Sequence, residues 1–180
     1  MDSNATIHPS LVKAVALNAK VLLGGSFLSI DPSSGSPDTK KWGRGSMPGY
    51  AIFRRGHLYK AGQIQVPKEL LKGINYCPHR LQFIANKLRV KFPREFKLLV
   101  IECIHYKPNR KTNMKSFQQL NQSVGAITAA LQWKRILNVL PYEWKKVAGI
   151  YHIKGDAMDA IQIGQTVIEI ARNLAPVGSK

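Results

Sequence analysis

Acidic residues are scarce in this sequence. The chain of 180 residues carries 10 Asp and Glu against 27 Lys and Arg, which gives a formal net charge of +17. This excess is far larger than solubility requires, and it indicates a polyanionic partner, with nucleic acid as the first candidate. Any acids that lie in apolar surroundings therefore need an explanation.

Cysteines and long apolar runs are also scarce. Cys77 and Cys103 are too few for a disulfide framework or a zinc site, and we expect two reduced thiols. No apolar run reaches membrane-spanning length and no segment is typical of a cationic amphipathic helix, so we expect no membrane contact. The first ten residues, MDSNATIHPS, match neither a signal peptide nor a transit peptide, which predicts a cytoplasmic location.

Motifs for small-molecule chemistry are missing as well. No Walker loop and no Ser-His-Asp arrangement is visible, so we expect no nucleotide or other small-molecule cofactor. The hydrophobic content of 44% and the length favour a single domain over residues 1–180.

Hydrophobic periodicity predicts an order of β-β-β-α-β-α-β-α after a short leading helix. This order is typical of a mixed five-stranded sheet, three antiparallel strands followed by parallel ones, with helices on its faces. Ser10 is the expected N-cap of the leading helix, and Arg55-Gly56 is the expected hairpin turn. The predicted elements are a helix at about 8–20, strands at 26–31, 50–55 and 57–66, a helix at about 74–92, a strand at 97–103, a helix at 114–132, a strand at 135–140 and a helix at about 155–174.

Four acids stand in apolar surroundings. Asp31 ends one apolar strand, Glu102 ends another, and Asp156 and Asp159 begin the last helix. A buried carboxylate without a partner is very costly, so each needs a cation, a metal ion or hydrogen-bond donors. The helix pair also has a simpler interpretation, because acids in a first turn offset the helix dipole.

Their spacing allows the four carboxylates to meet. Residues three apart share one face of a helix, and ligands in such sheets bind at the carboxyl ends of strands. Carboxylates suit Mg²⁺, with Mn²⁺ as a substitute, and two such ions can activate a water and stabilise the leaving oxygen of a phosphodiester. The pattern therefore predicts an acidic metal centre on a basic protein that gathers DNA.

Five motifs carry a resemblance to a known family. They are SIDPSS followed by GYAIF, LLVIEC, LNQSVGAI, LPYEWKK and KGDAMDAIQIG. Over about residues 26–170 the chain resembles the RuvC-type Holliday-junction resolvases of the ribonuclease H-like superfamily, and its short basic form suggests a phage member.

The resemblance implies roles for particular residues. Asp31, Glu102, Asp156 and Asp159 would be the ligands of two metal ions, and Lys145 or Lys146 would lie near the scissile phosphate. The family implies a homodimer that makes paired nicks in a four-way DNA junction, in the cytoplasm of a bacterial or phage-infected cell. The segment 147–153 is shorter than is usual in the family, and it bears on how such a dimer would form.

Residues 32–49 form a Gly-, Pro- and Ser-rich basic loop, which we expect to contact DNA. Within it Trp42 is a candidate for stacking on bases. The alternative is that the loop is a tolerated surface insertion, and His105 and Tyr106 have the similar alternative of ordinary loop packing. The candidate DNA-binding residues are Lys40, Lys41, Trp42, Arg44, Arg54, Arg55, His105, Tyr106, Lys107, Arg110 and Lys111.

Two further functions stay open at this point. A nuclease of the same fold could act on flaps, branched replication intermediates or RNA–DNA hybrids. A non-catalytic nucleic-acid-binding module is the third hypothesis, although a pure binding protein would gain from losing four buried acids.

Overall fold

The computed structural model describes residues 7–32, 47–71, 78–92, 96–103, 114–132, 135–147 and 156–175. The elements within these ranges follow the predicted order, with two short helices added. They are α1 (Pro9–Gly24), β1 (Ser26–Asp31), β2 (Gly49–Arg54), β3 (His57–Gln63), α2 (Lys68–Leu71), α3 (Pro78–Lys91), β4 (Leu99–Glu102), α4 (Met114–Leu131), β5 (Ile136–Val139), α5 (Pro141–Val147) and α6 (Asp156–Leu174).

The five strands form one mixed sheet in the order β3-β2-β1-β4-β5. β1 is antiparallel to β2 and parallel to β4, β2 is antiparallel to β3, and β4 is parallel to β5. The predicted architecture of three antiparallel strands followed by parallel ones is therefore confirmed.

Each face of the sheet carries its own hydrophobic core. Because side chains alternate along a strand, neighbouring residues of β1 enter different cores. Phe27 lies in the core that α1, α5 and α6 cover, whereas Leu28 lies in the core that α3 and α4 cover. All four helices that the sequence predicted thus pack apolar side chains on the sheet, and α6 contacts β1, β2 and α1.

Gly164 brings α6 close to the sheet. Any side chain at this position would collide with the ring of Phe53 on β2, so only glycine allows the helix to approach this far. Phe53 in turn stacks on Phe27 of β1, with 4.9 Å between the ring centroids. This contact fixes α6 across β1 and β2.

The hairpin between β2 and β3 has the predicted two-residue turn. Arg55 and Gly56 have φ angles of 52° and 72°, as a type I′ turn requires at both central positions. A register shift between Ile52 and Phe53 then places a bulge early in β3. The turn lies at the end of the sheet opposite to Asp31, because Ser26 pairs with Arg54 while Asp31 pairs with Gly49.

Three details differ from the sequence prediction. Ser10 is not the N-cap of α1, because the helix begins at Pro9 and its N-cap is His8, whose Nδ1 accepts a hydrogen bond from the Ser10 N–H. Proline suits the first helical position, since its missing N–H is not needed there. α1 continues to Gly24, and α5 was not predicted. Of the helices described, none is long and apolar enough to cross a membrane.

Candidate active site

Asp31 and Glu102 lie side by side at the carboxyl ends of β1 and β4. The parallel register pairs Ile30 with Ile101, so the next residue on each strand is one of the two acids. Alternation places Asp31 on the same face as Phe27, the face that α1, α5 and α6 cover. Asp31 is 9% exposed and Glu102 is half-buried, so both carboxylates are largely removed from water.

α5 supplies a hydrogen bond to Glu102. The Trp144 indole N–H donates to Glu102 Oε2 over 2.9 Å, and Trp144 is 2% exposed. The position of Trp144 is fixed by the start of the helix, where Glu143 Oε2 accepts a hydrogen bond of 2.8 Å from the Leu140 N–H. This contact has the geometry of a side chain that reaches back to cap its own helix, so α5 presents Trp144 to Glu102 in one orientation.

The charges around Glu102 show which groups lie near it. Burial raises the pKa of Glu102, while the Trp144 hydrogen bond and the positive charge of Lys145 lower it. The negative charge of Asp159 raises the same pKa, so the first turn of α6 lies close to the end of β4. Lys145 Nζ lies 5.0 Å from the centroid of the Trp144 ring. The carboxyl ends of β1 and β4 therefore lie near an acid of α6 and a lysine of α5.

Cys103 follows Glu102 directly but is a poor ligand or nucleophile. Burial, with smaller contributions from Glu143 and Glu102, raises the pKa of this thiol to about 11. The reactive form of cysteine is the thiolate, which is a small minority at neutral pH with such a pKa. The sequence predicted a buried, reduced thiol, and Cys103 is a free cysteine that is half-buried.

The carboxylates fit a magnesium ion by their chemistry. Among the described side chains, which leave out that of Asp156, no three His, Cys, Asp or Glu groups gather closely enough to hold a metal ion. The hydrogen bond from Trp144 uses one lone pair of Glu102 Oε2, which leaves Oε1 and the second lone pair of Oε2 for another ligand. Mg²⁺ is usually bound by one or two carboxylates together with waters and substrate phosphates, so the pair of Asp31 and Glu102 on adjacent strand ends is a suitable partial set.

Comparisons with known proteins show the fold of this chain. No family model matches the chain, and no curated protein matches it by sequence. A solved structure, Thermus thermophilus RuvC in complex with a Holliday junction substrate, matches with a TM-score of 0.54 at 14% identity, over 83% of this chain and 96% of that one.

This chain has a RuvC-like fold. A second structure of Thermus thermophilus RuvC matches with a TM-score of 0.47 at 15% identity, over 82% of this chain and 96% of that one. The match to the junction complex covers 96% of the RuvC chain, so nearly all of that chain has a counterpart here.

Arg54 and Arg55 lie away from the acids of the RuvC-like sheet. They sit at the hairpin end of β2, about five residues, or roughly 17 Å, along the sheet from Asp31. They line an open cleft of about 540 Å³ together with Gly24, Gly25 and Ser26. Residue type made both arginines candidates for DNA binding but did not locate them relative to Asp31.

The other predicted residues are described in part or not at all. Asp156 is the first residue of α6, and Lys146 lies in α5, but the side chains of both are outside the described part. The remaining predicted DNA-binding residues lie outside the described ranges: Lys40, Lys41, Trp42, Arg44, His105, Tyr106, Lys107, Arg110 and Lys111.

Trp144 is the site residue that sequence reasoning missed. It is buried in the core, but its N–H also bonds the candidate ligand Glu102. A signal was available in the sequence: a buried indole N–H needs an acceptor, and Trp144 directly precedes a lysine that the family resemblance places at the scissile phosphate.

Proposed function

We propose that this protein is a Mg²⁺-dependent, structure-selective DNA endonuclease that resolves four-way junctions. The observation that carries the proposal is the placement of Asp31 and Glu102 on adjacent strand ends, with the charge of Asp159 acting on Glu102, in a RuvC-like fold. An open α/β sheet binds its ligands at the carboxyl ends of its strands, and these carboxylates lie there.

Each acid has a proposed part in holding the metal. Asp31 and Glu102 supply oxygen ligands from the sheet, and Asp159 and Asp156 supply them from the first turn of α6. Bound Mg²⁺, or Mn²⁺ in its place, would activate a water and stabilise the leaving oxygen of the phosphodiester, and two ions together suit this reaction best. Without metal, these acids repel one another and the DNA backbone, so the site is complementary to cations.

Lys145 is the cation of this site that the structure describes. Its positive charge acts on Glu102, and its ammonium group lies over the Trp144 ring. A lysine at this place can contact a phosphate oxygen next to the bond that is cut, where it stabilises negative charge in the transition state. Lys146 is the alternative for this role.

The net charge of +17 supplies the attraction to DNA. Lys and Arg side chains that neutralise phosphates release counterions, so affinity for DNA should fall steeply with salt. We propose that the loop 32–49 and the segment with Lys107, Arg110 and Lys111 carry part of this contact. A DNA substrate would place the protein in the cytoplasm of a bacterial or phage-infected cell.

Paired nicks across a junction require two active sites. We therefore propose that the protein works as a homodimer, since a symmetric pair of subunits matches the symmetry of a four-way junction. Analytical ultracentrifugation with and without junction DNA tests this part. A monomer bound to junction DNA at saturating protein would contradict it.

The test of the function is a cleavage assay on a matched substrate panel. A synthetic four-way junction, a flap, an RNA–DNA hybrid and a linear duplex of the same sequence are incubated with the protein, with Mg²⁺ or with EDTA. We expect symmetric nicks in the junction, in the samples with Mg²⁺ and not in those with EDTA.

The panel also separates the alternatives. Preferred cutting of the flap or the hybrid would replace junction resolution with another nuclease activity of the same fold. Tight binding of junction DNA without cutting under any metal condition would favour a binding module and contradict the proposed enzyme.

A further inference from the structure

We infer that Trp144 is a positioning residue that sets the orientation of the Glu102 carboxylate for metal binding. This inference rests on the proposed function for its metal, and on the structure alone for its geometry. Trp144 does not touch the substrate or the metal in this account, and it acts through Glu102.

The hydrogen bond selects one oxygen of the carboxylate. An indole N–H is a donor only, and a buried donor without an acceptor is costly, so the Trp144 N–H has a strong reason to keep its 2.9 Å contact with Glu102 Oε2. Rotation of the carboxylate would break this contact. The orientation of the carboxylate, and so of Oε1 and the second lone pair of Oε2, is therefore set by a side chain that is 2% exposed and packed in the core.

The same indole also borders the cation of the site. While the N–H edge of Trp144 faces Glu102, its ring lies 5.0 Å from Lys145 Nζ. A cation over a tryptophan ring is attracted by the ring electrons. One rigid side chain thus fixes the spacing between a candidate metal ligand and the candidate phosphate-binding lysine.

Hydrogen bonds at the start of α5 hold Trp144 in place. Glu143, the preceding residue, is 4% exposed and caps α5 through the Leu140 N–H. The backbone N–H of Trp144 also donates a 3.4 Å hydrogen bond to the backbone oxygen of Leu140. Removal of a group that hydrogen-bonds a metal ligand lowers metal affinity by about 10- to 100-fold, which sets the size of the expected effect.

The first test follows the indole N–H directly. The sequence has 3 tryptophans, so ¹⁵N-labelled protein gives three indole cross-peaks, and Trp144→Phe identifies the peak of Trp144 by its loss. We expect Glu102→Ala to move this peak upfield and to leave the other two in place. An unmoved Trp144 peak would overturn the inference, and this readout does not need an active enzyme.

The second test measures Mn²⁺ binding by calorimetry in the full-length protein. Trp144→Phe keeps an aromatic ring but loses the donor, and we expect its affinity for Mn²⁺ to fall by about 10-fold or more. Trp133→Phe is the matched control and should stay within about twofold of the wild type. Thermal unfolding of each variant confirms that the protein is folded before titration.

The outcomes separate this inference from the proposed function. A wild-type protein that binds Mn²⁺, with a folded Trp144→Phe variant that binds it equally well, would overturn the positioning role and leave the nuclease proposal intact. A wild-type protein that binds no Mn²⁺ would contradict the nuclease proposal, whatever the NMR experiment shows.

Discussion

The two ends of the central sheet have opposite chemistry. At the carboxyl ends of β1 and β4, Asp31, Glu102 and Asp159 are half-buried or buried beside a tryptophan donor. At the other end the β2–β3 hairpin presents Arg54 and Arg55, both exposed, around an open cleft. One end is suited to hold metal cations, whereas the other is suited to attract phosphates.

α6 connects these two ends. Its first turn carries Asp159 near Glu102, and its last turn carries Arg172, whose guanidinium donates a 3.2 Å hydrogen bond to Gly56 O in the hairpin. Gly164 in the middle lets the helix lie flat against Phe53. The difference teaches that a strongly basic protein can keep a local acidic site: Arg54 and Arg55 lie at the far end of the sheet, and Lys145 is the cation described beside the acids.

Removal of a strand-end acid is the strongest way to break this division. We expect Asp31→Asn and Glu102→Gln to lower junction cleavage by at least about a thousandfold, because each removes a charge that would hold the metal. Junction binding should persist or tighten, since the acids repel phosphate when metal is absent. The measurement is single-turnover cleavage together with a binding titration.

Glu169→Gln is the matched control for these variants. Glu169 is an exposed acid of α6, the same helix that carries Asp159, and it should keep full cleavage. Full activity of Asp31→Asn would remove the basis for a metal centre at this end.

Addition of metal should stabilise the acidic end. An ion that binds only the folded state adds about 2.7 kcal/mol at a concentration a hundred times its Kd. We expect thermal unfolding to shift upward with millimolar Mg²⁺ or Mn²⁺, and to shift much less in Glu102→Gln. Calcium should also bind but support little cutting, since its looser geometry aligns water poorly, and equal turnover with calcium would count against this scheme.

Removal of the arginines sharpens the comparison from the other side. We expect Arg54→Ala combined with Arg55→Ala to weaken junction binding several-fold and to lower the salt slope by up to about two units, with the cleavage rate at saturating DNA unchanged. The triple change of Lys40, Lys41 and Arg44 to Ala in the loop 32–49 tests the other candidate surface in the same salt series. An unchanged affinity and slope in one set would move the DNA contact to the other.

The pH dependence of stability gives a smaller effect with a defined sign. Burial raises the pKa of Glu102, so the folded state binds this proton more tightly than the unfolded state does. Its contribution to stability is full below the unfolded pKa and is lost as the pH rises through the folded pKa. In EDTA at neutral pH, Glu102→Gln should therefore melt at a higher temperature than the wild type.

The gain should vanish near pH 3, where the carboxyl group is protonated in both states. Glu169→Gln again serves as the control, because its carboxylate is exposed. A Glu102→Gln variant that is less stable than the wild type at neutral pH would contradict this prediction, because it would show that the charge of Glu102 stabilises the folded protein.

Sequence reasoning predicted the sheet well because its signals are local. The apolar strands that end on Asp31 and Glu102, and the Arg55-Gly56 turn, are each determined within a few residues. The contact between Trp144 and Glu102 joins residues 42 positions apart, and no local pattern encodes it. The short helix α5 was also missed, although its cap is local and joins Glu143 to the Leu140 N–H.

The placement of the arginines shows the same limit. The sequence predicted Arg54 to bind DNA and Asp31 to bind metal, and it did not say how far apart they lie. The antiparallel pairing of β1 with β2 carries Arg54 to the far end of the sheet, opposite Ser26. Residue type predicted the chemistry of each group, while the strand register decided which groups lie together.

The most direct test of the division between the two ends is the location of bound metal. Crystals of the protein soaked in Mn²⁺ and measured for anomalous scattering should show a peak within about 2.0–2.3 Å of carboxylate oxygens of Asp31 and Glu102, with Asp159 next to it. No peak is expected at the cleft of Arg54 and Arg55. An acidic end without manganese at saturating concentration, or a peak only elsewhere in the molecule, would contradict the account.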